Sequence, residues 1–282
     1  MRASGRTQIW RGRPRTERGR WCLAAVLFVS AFLATATMAP SLGLVASPDE
    51  TLSENLLLLT PHTIAVIWRD PALRGYGLVF AASLFTILLA HEFGHWIACR
   101  VHRLPSSPPY FLPSPLGRGT FGAFLRIRAP IPTKRVLFDV GAAGPFAGFL
   151  VLLPFLLYGV AHSRAVVPPP SPVPLDLLAL GKPLAIELAS RVVGNVPAAG
   201  AIYDYHPMAF AAWFGLLVTA INLIPLGQLD GGHILYAAFG RRQSQIAPFL
   251  WWSLAACGFF WPGWWVWCVV TRALKLQHPP VY

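Results

Sequence analysis

The sequence is poor in charged residues, and acidic residues are the scarcest of them. Only 12% of its 282 residues are charged and 11 are Asp or Glu, whereas 55% are apolar and the mean hydropathy is +0.53. Soluble domains carry about 25% charged residues, so this composition excludes an ordinary soluble domain. Several apolar runs approach or exceed the roughly 20 residues that cross a bilayer, and in lipid such runs form helices. We therefore expect an all-α polytopic membrane protein.

Cysteine is scarce too, and the few cysteines have no metal-binding or disulfide spacing. Each lies in an apolar stretch and none belongs to a C-x-x-C pair: Cys22, Cys99, Cys257 and Cys268. We interpret them as small core hydrophobes. The chain also lacks an internal repeat, a separate soluble domain and any segment resembling a PDZ or CBS-like module.

Positive charge is concentrated at the beginning of the chain. The net charge is +12, and the first twenty residues hold one acid, Glu17, beside seven arginines: Arg2, Arg6, Arg11, Arg13, Arg15, Arg18 and Arg20. A basic tail directly before an apolar segment more often fixes topology or contacts anionic lipid than binds nucleic acid. We therefore expect a cytoplasmic N-terminus and no nucleic-acid partner. An organelle targeting peptide is the alternative, which the scarcity of Ser and Thr disfavours.

Apolar runs and basic loops divide the remaining chain into about five to six transmembrane helices. The count is open because the last run, broken at Trp261, Pro262 and Gly263, is either one kinked span or a tight hairpin. The predicted runs cover residues 21–45, 76–101, 136–160, 208–224 and 246–270. The basic loop 104–135 is expected in the cytoplasm, and the acidic linker after the first span and the proline-rich loop 162–206 are expected outside.

Two local patterns add detail to this arrangement. Residues 119–128 end in alternating apolar and basic side chains, which predicts a small strand or hairpin in the cytoplasmic loop. In the third span, Gly141, Gly144 and Gly148 recur at three- and four-residue spacing. Small residues at this spacing let another helix approach closely, so we expect this span at the centre of the bundle.

The second span contains an H-E-x-x-H sequence, His91-Glu92-Phe93-Gly94-His95. Positions i and i+4 share one helix face, so both imidazoles can reach one zinc ion, with Glu92 beside the open coordination position as the general base. Unpaired polar groups inside an apolar helix are costly, which makes these residues functional candidates. The alternative is a helix end whose polar residues reach water beside Arg100.

A catalytic zinc site needs a third protein ligand and leaves one position for water. Asp139 and Asp230 are the acids near apolar spans, and Asp230 is favoured because Pro225, Gly227 and the two glycines after it break the helix. Asp139 is interpreted as a helix-end residue. His233 competes as a ligand, although a histidine in a tight turn is more often an outer or surface group.

Asn222 lies at an apolar helix end eight residues before Asp230. Its amide can donate a hydrogen bond to a scissile carbonyl or a developing oxyanion. It can equally form a helix-to-helix hydrogen bond, as asparagines in bundles commonly do. The residues alone leave both roles open.

These motifs together resemble the site-2 protease family of intramembrane zinc metalloproteases, peptidase family M50. The signatures of that family, H-E-x-x-H and N-x-x-P-x-x-x-x-D-G, match residues 91–95 and 222–231 in the right order and separation. Residues 119–128, the run Phe138 to Pro145 and the order of spans are similar to its prokaryotic and plastid branch. The resemblance covers residues 75–240.

The resemblance implies a function and a division of the chain. It implies one zinc ion per chain, held by His91, His95 and Asp230, and cleavage within or beside substrate transmembrane helices, which releases a regulatory domain after an earlier protease has cut. It also implies that Asn222 orients the substrate and that the strand at Gly119, Thr120, Phe121 and Gly122 pairs with an unwound substrate segment. The expected divisions are a basic tail at 1–20, one metalloprotease domain at 21–276 with its core at 75–240, and a C-terminal tail at 277–282.

Location and activity each keep an alternative. The short basic tail favours a bacterial plasma membrane over an organelle. A catalytically silent chaperone or adaptor that binds transmembrane helices is the second hypothesis, and the intact motif residues count against it. A metal transporter would carry polar residues along a path through the bilayer, whereas this chain clusters them at one depth.

Overall fold

A computed structural model describes residues 17–43, 61–114, 119–166, 183–198, 200–260 and 263–273. The acidic linker, the proline-rich stretch, Arg118, Trp261, Pro262 and the two chain ends lie outside these ranges. The helices and strands occur in the order α1 (Glu17–Gly43), α2 (Pro61–Arg69), α3 (Pro71–Val101), β1 (Tyr110–Pro113), β2 (Thr120–Phe124), α4 (Lys134–Ala161), β3 (Arg164–Val166), α5 (Leu184–Val193), β4 (Ile202–Asp204), α6 (Pro207–Asn222), α7 (Asp230–Phe239), a 3₁₀ turn (Gly240–Arg242), α8 (Gln243–Cys257) and α9 (Gly263–Ala273).

The predicted class, a helical membrane protein with a small β element, is confirmed. Among the described residues, three helices are long and apolar enough to cross a membrane, at Glu17–Pro40, Pro71–Val101 and Lys134–Ala161, and α6 is a shorter apolar helix. The count of five to six spans stays a prediction. Helix α3 begins at Pro71, five residues before the predicted start at residue 76, because the Asp70 carboxylate accepts hydrogen bonds from the amides of Ala72 and Leu73.

Helix α4 lies at the centre of the bundle and packs against α3, α5, α6 and α7. Glycines make these approaches possible. A Cβ atom on Gly94 of α3 would lie 2.4 Å from the Ala143 carbonyl oxygen, and one on Gly159 of α4 would lie 2.2 Å from the Ala209 nitrogen. The central position predicted from the small residues of this span is therefore confirmed.

The strands β1 and β2 form an antiparallel hairpin that packs against α1 and α3. The ring of Phe111 in β1 stacks on Phe85 of α3 and meets Phe28 of α1 edge-on, both at a centroid distance of 5.2 Å. Gly119 has a φ of +70° and lies so close to Thr35 of α1 that a Cβ atom would clash with its backbone. The hairpin is thus anchored to the first helix.

The predicted strand is confirmed over residues 120–124. Beyond Phe124 the chain stays extended but leaves the regular ladder. It is held by a bridge between Ser106 and Ile127 and by a hydrogen bond from the Arg128 amide to the Pro105 carbonyl oxygen. The alternating apolar and basic residues therefore belong to an irregular continuation of the hairpin.

The loop predicted outside the membrane contains a second small sheet that was not expected. β3 pairs antiparallel with β4, and the Asn195 amide donates hydrogen bonds to the carbonyl oxygens of Val160 and Ser163 at 2.8 and 2.9 Å. Ile186 and Ala189 of α5 are buried in the same cluster as Leu156. The described parts of this loop therefore close one end of α4.

The last apolar run forms two helices, α8 and α9, which pack against each other. The indole of Trp251 donates a hydrogen bond to the Cys268 carbonyl oxygen at 3.0 Å, and that of Trp265 donates to the Ala255 carbonyl oxygen at 3.1 Å. The hairpin alternative is thus favoured over a single kinked span. The interpretation of the cysteines is half wrong, since Cys99 and Cys268 are buried but Cys22 and Cys257 are exposed.

Candidate metal centre

His91 and His95 lie one turn apart on the buried face of α3. Their side chains point into the bundle, and the two residues are only 4% and 8% exposed. The Nε2 atoms of the two rings are 3.2 Å apart. The i, i+4 spacing therefore brings both imidazoles to one point, as the sequence pattern predicts.

Asp230 reaches the same point from the start of α7. Helix α6 ends at Asn222, and the turn that follows folds back onto the next helix so closely that a Cβ atom on Gly231 would lie 2.1 Å from the Leu223 carbonyl oxygen. This turn directs the carboxylate inward. The Asp230 oxygens lie 3.2 Å from His91 Nε2 and 3.3 Å from His95 Nε2.

The three side chains satisfy a geometric test for zinc. Zinc binds histidine nitrogen and carboxylate oxygen at about 2.0–2.2 Å in a tetrahedral arrangement, which separates neighbouring ligand atoms by about 3.3–3.6 Å. Here the two Nε2 atoms are 3.2 Å apart, His91 Nε2 is 3.2 Å from Asp230 Oδ2, and His95 Nε2 is 3.3 Å from the other carboxylate oxygen, Oδ1. Asp230 Oδ2 is also buried and has no hydrogen-bond partner within the described part of the chain, although His91 Nε2 is near it. A cation held between the three side chains would give that oxygen a partner.

The backbone of α4 fixes the orientation of His95. Its Nδ1 lies 2.7 Å from the Val140 carbonyl oxygen, so this nitrogen carries the proton and donates a hydrogen bond to that oxygen. The lone pair of Nε2 then points at Asp230 and His91. A carbonyl acceptor of this kind is the usual outer partner of a metal-binding histidine.

Two glycines of α4 leave room for the imidazoles. A Cβ atom on Gly144 would lie 2.1 Å from His95 Nε2, and one on Gly148 would lie 3.1 Å from the Cβ atom of His91. The first distance is incompatible with the observed ring position, whereas the second requires a shift of a few tenths of an ångström. Gly144 is therefore the tighter of the two contacts.

Glu92 is buried beside the two histidines and is 6% exposed. Its carboxylate interacts electrostatically with His91, His95 and Asp230. It does not belong to the clustered ligand atoms found among the described residues, which come from those three side chains. This position leaves the Glu92 carboxylate available for proton transfer.

The two competing ligand candidates lie elsewhere. Asp139 Oδ2 lies 2.9 Å from His102 Nε2, so a contact between these two side chains joins the start of α4 to the end of α3. His233 lies in the first turn of α7, where its Cβ atom packs near Gly141. Neither belongs to the cluster of possible metal ligands in the described ranges. The pairing of Asp139 with His102 was not foreseen.

Asn222 lies at the edge of the same group. Its Nδ2 atom is 3.4 Å from His91 Nε2. The end of α6 therefore directs this amide toward the candidate metal centre rather than toward lipid. The hairpin that packs on α1 and α3 contains the four strand candidates, Gly119, Thr120, the backbone of Phe121, and Gly122.

The fold and this centre define a class: an apolar helix bundle of membrane type with a buried two-histidine, one-aspartate cluster. The chain belongs to peptidase family M50, whose model matches residues 79–251. The predicted resemblance to the site-2 protease family is thus confirmed, including its plastid-like branch.

Curated relatives agree with this assignment. "Probable zinc metalloprotease EGY1, chloroplastic" of Arabidopsis thaliana is 33% identical over 166 residues, which is 58% of this chain and 30% of the relative. The EGY1 protein of Oryza sativa subsp. japonica is 35% identical over 58% of this chain and 28% of its own length. EGY2 of Oryza sativa subsp. indica, also described as a probable zinc metalloprotease, is 35% identical over 60% of this chain and 30% of its own length. The chain spans less than a third of the length of these relatives.

Substitution of the two site glycines tests the position of the rings without reference to activity. Gly144→Ala should weaken zinc binding by roughly tenfold or more, because the new methyl group displaces the ring of His95. Gly148→Ala is the control and should bind zinc nearly as tightly as the native chain. Zinc content is measured after equilibration with a competing chelator, and the thermal unfolding of each variant in detergent checks that it is folded. Equal zinc affinity of the two variants would contradict the position of the His95 ring.

Proposed function

We propose that this chain is a zinc-dependent endopeptidase that hydrolyses peptide bonds within or beside the transmembrane helices of membrane proteins. The observation that carries the proposal is the cluster of His91, His95 and Asp230 in an apolar bundle, where both imidazole Nε2 atoms lie 3.2–3.3 Å from an oxygen of the Asp230 carboxylate. The printed names of the plant relatives and the peptidase family support it.

In this proposal the three side chains hold one zinc ion. When bound, zinc supplies Lewis acidity, which lowers the pKa of a ligated water and polarises a carbonyl oxygen. Glu92 accepts a proton from the attacking water and donates it to the leaving amine. The carboxylate is well suited to this transfer because it is buried next to the cluster without being one of the ligands.

The remaining residues act on the substrate. The Asn222 amide, near His91, donates a hydrogen bond to the scissile carbonyl or the developing oxyanion. A helix hides its peptide bonds, so the substrate must become extended before hydrolysis. The hairpin β1–β2 offers strand edges with which an extended segment can pair through backbone hydrogen bonds. Cleavage of this kind would release the soluble part of a regulatory substrate from the membrane.

The membrane location follows from the apolar helices and the family. We infer a cytoplasmic N-terminus from the basic residues before α1, since positive charge is retained on that side. We also retain the bacterial plasma membrane as the proposed compartment, although the matched relatives are chloroplast proteins. Protease protection of an N-terminal epitope in right-side-out and inverted vesicles checks the orientation.

Metal binding and turnover should separate in two variants. Glu92→Gln should keep zinc and lose cleavage of a single-span membrane substrate by a factor of roughly 10² or more, because the general base is removed while the ligands stay. Asp230→Ala should lose both zinc and cleavage, because one of three protein ligands is removed. Zinc content and cleavage are measured on the same purified samples in liposomes.

Asp139→Ala is the matched control for this experiment. It removes the other acid considered as a ligand and should keep both zinc and cleavage, since Asp139 pairs with His102. Normal cleavage by Glu92→Gln would refute the assigned base. Equal zinc in all variants would refute Asp230 as an essential ligand. A native chain that takes up no supplied zinc would favour a silent adaptor that binds transmembrane helices.

Replacement of Asn222 by leucine tests its role on the substrate. Asn222→Leu should lower the cleavage rate roughly 10²- to 10³-fold while zinc stays bound, because a hydrogen-bond donor to the reacting carbonyl is lost. Gln228→Leu removes an exposed amide from the turn after α6 and should have little effect. Loss of zinc in Asn222→Leu would show instead that the amide supports His91.

Disulfide cross-linking tests the strand. In a cysteine-free Glu92→Gln chain, a cysteine introduced as Thr120→Cys should cross-link with every second position of a bound substrate segment, because paired strands alternate their side chains. Cross-links at every third or fourth position would mean that the segment stays helical there. Pro130→Cys, at an exposed site outside the hairpin, serves as the negative control.

A further inference from the structure

A cavity lies between the beginning of α1 and the β hairpin, apart from the candidate metal centre. Its volume is about 640 Å³. One wall is the face of α1 that carries Arg20, Leu23 and Leu27, and the other includes Phe124 at the end of β2 and the chain that follows it. The cavity is large enough for a polar group together with the first part of an attached apolar chain.

Three arginines line this cavity: Arg20, Arg126 and Arg128. Arg126 and Arg128 are two positions apart in an extended segment, so they face the same side, and Ile127 between them pairs with Ser106. Within the described ranges, none of the three guanidinium groups forms an ion pair with a carboxylate. The described part of the chain therefore gathers three positive charges around one cavity with no carboxylate paired to them.

The cavity changes character along α1. Arg20, Leu23 and Leu27 occupy one face of the helix, and seven residues of α-helix span about 10 Å. Arg20 lies near the beginning of the candidate membrane span Glu17–Pro40, and both leucines lie further inside that span. The charged part of the cavity therefore lies at the level of the lipid headgroups, and its apolar part lies at the level of the hydrocarbon.

We propose that this cavity binds an anionic phospholipid, with its phosphate between the three arginines and the beginning of an acyl chain along Leu23, Leu27 and Phe124. Guanidinium groups match the geometry of phosphate oxygens, and basic residues at a membrane surface attract anionic lipids. An acidic peptide would satisfy the charge but would not follow the helix into its apolar part. The amphipathic lining is therefore the observation that favours a lipid.

Lipid counting on the full chain tests this proposal. The native chain, stripped of lipid in neutral detergent, is mixed with equimolar phosphatidylglycerol and phosphatidylcholine, and the bound lipids are counted by native mass spectrometry. The expected result is one tightly held phosphatidylglycerol per chain. The double variant Arg126→Gln/Arg128→Gln should bind it roughly thirtyfold more weakly, because each basic residue near the phosphate contributes to binding.

The control pair is Arg103→Gln/Arg135→Gln, which removes the same charge from exposed positions at the end of α3 and the start of α4. It should retain the lipid. Equal weakening in both pairs would overturn the proposal in favour of diffuse surface attraction, and equal retention of phosphatidylcholine would overturn the role of the arginines.

A second arm separates the lipid from its headgroup alone. Leu23→Trp fills the apolar part of the cavity and leaves the arginines in place, so it should weaken phosphatidylglycerol binding, and inorganic phosphate should not displace the lipid from the native chain. Displacement by phosphate, or by a soluble acidic peptide, would show that the site accepts any anion. The readout is lipid binding, so it does not depend on whether the chain cleaves peptides.

Discussion

The close approach of α4 to α3 is the constraint on which the rest of the site depends. It is possible because Gly144 and Gly148 present no side chain to the imidazoles of His95 and His91. The same contact brings the Val140 carbonyl oxygen within 2.7 Å of His95 Nδ1. A single helix pair therefore buries two histidines, sets the orientation of one of them and leaves their Nε2 atoms facing the position that Asp230 enters.

Burial strengthens the interactions among the side chains of this cluster. In an apolar interior, electrostatic interactions are stronger than in water, and polar groups without partners are costly. Glu92, His91, His95 and Asp230 offset that cost by lying together. The break between α6 and α7 brings the carboxylate to the centre and ends α6 with the Asn222 amide beside His91. The candidate metal ligands, the proposed base and the proposed substrate-orienting amide thus come from two segments that meet at one point.

The centre was more predictable than the loops, for physical reasons. Spacing along a helix is a local property, so His91 and His95 could be placed on one helix face from the sequence alone. The glycines of α4 likewise predicted a close contact with another helix. Asp230 required a choice between two acids, which the helix-breaking residues around it decided. The partner strand β1 is only four residues long and shows no period-two alternation, and β3 with β4 joins distant segments. The contact between Asp139 and His102 depends on helix packing that no local pattern encodes.

The order of these groups along the chain has a consequence for synthesis. Val140 follows His95 by 45 residues, whereas Asn222 follows His91 by 131 residues. At about 5–20 residues per second, a ribosome completes the first interval in about 2–9 s and the second in about 7–26 s. For several seconds the nascent chain therefore carries α3 and α4 before Asn222 and, eight residues later, the candidate ligand Asp230 have been synthesised. During that stage the glycine-lined contact between α3 and α4 can already form and cover the two imidazoles.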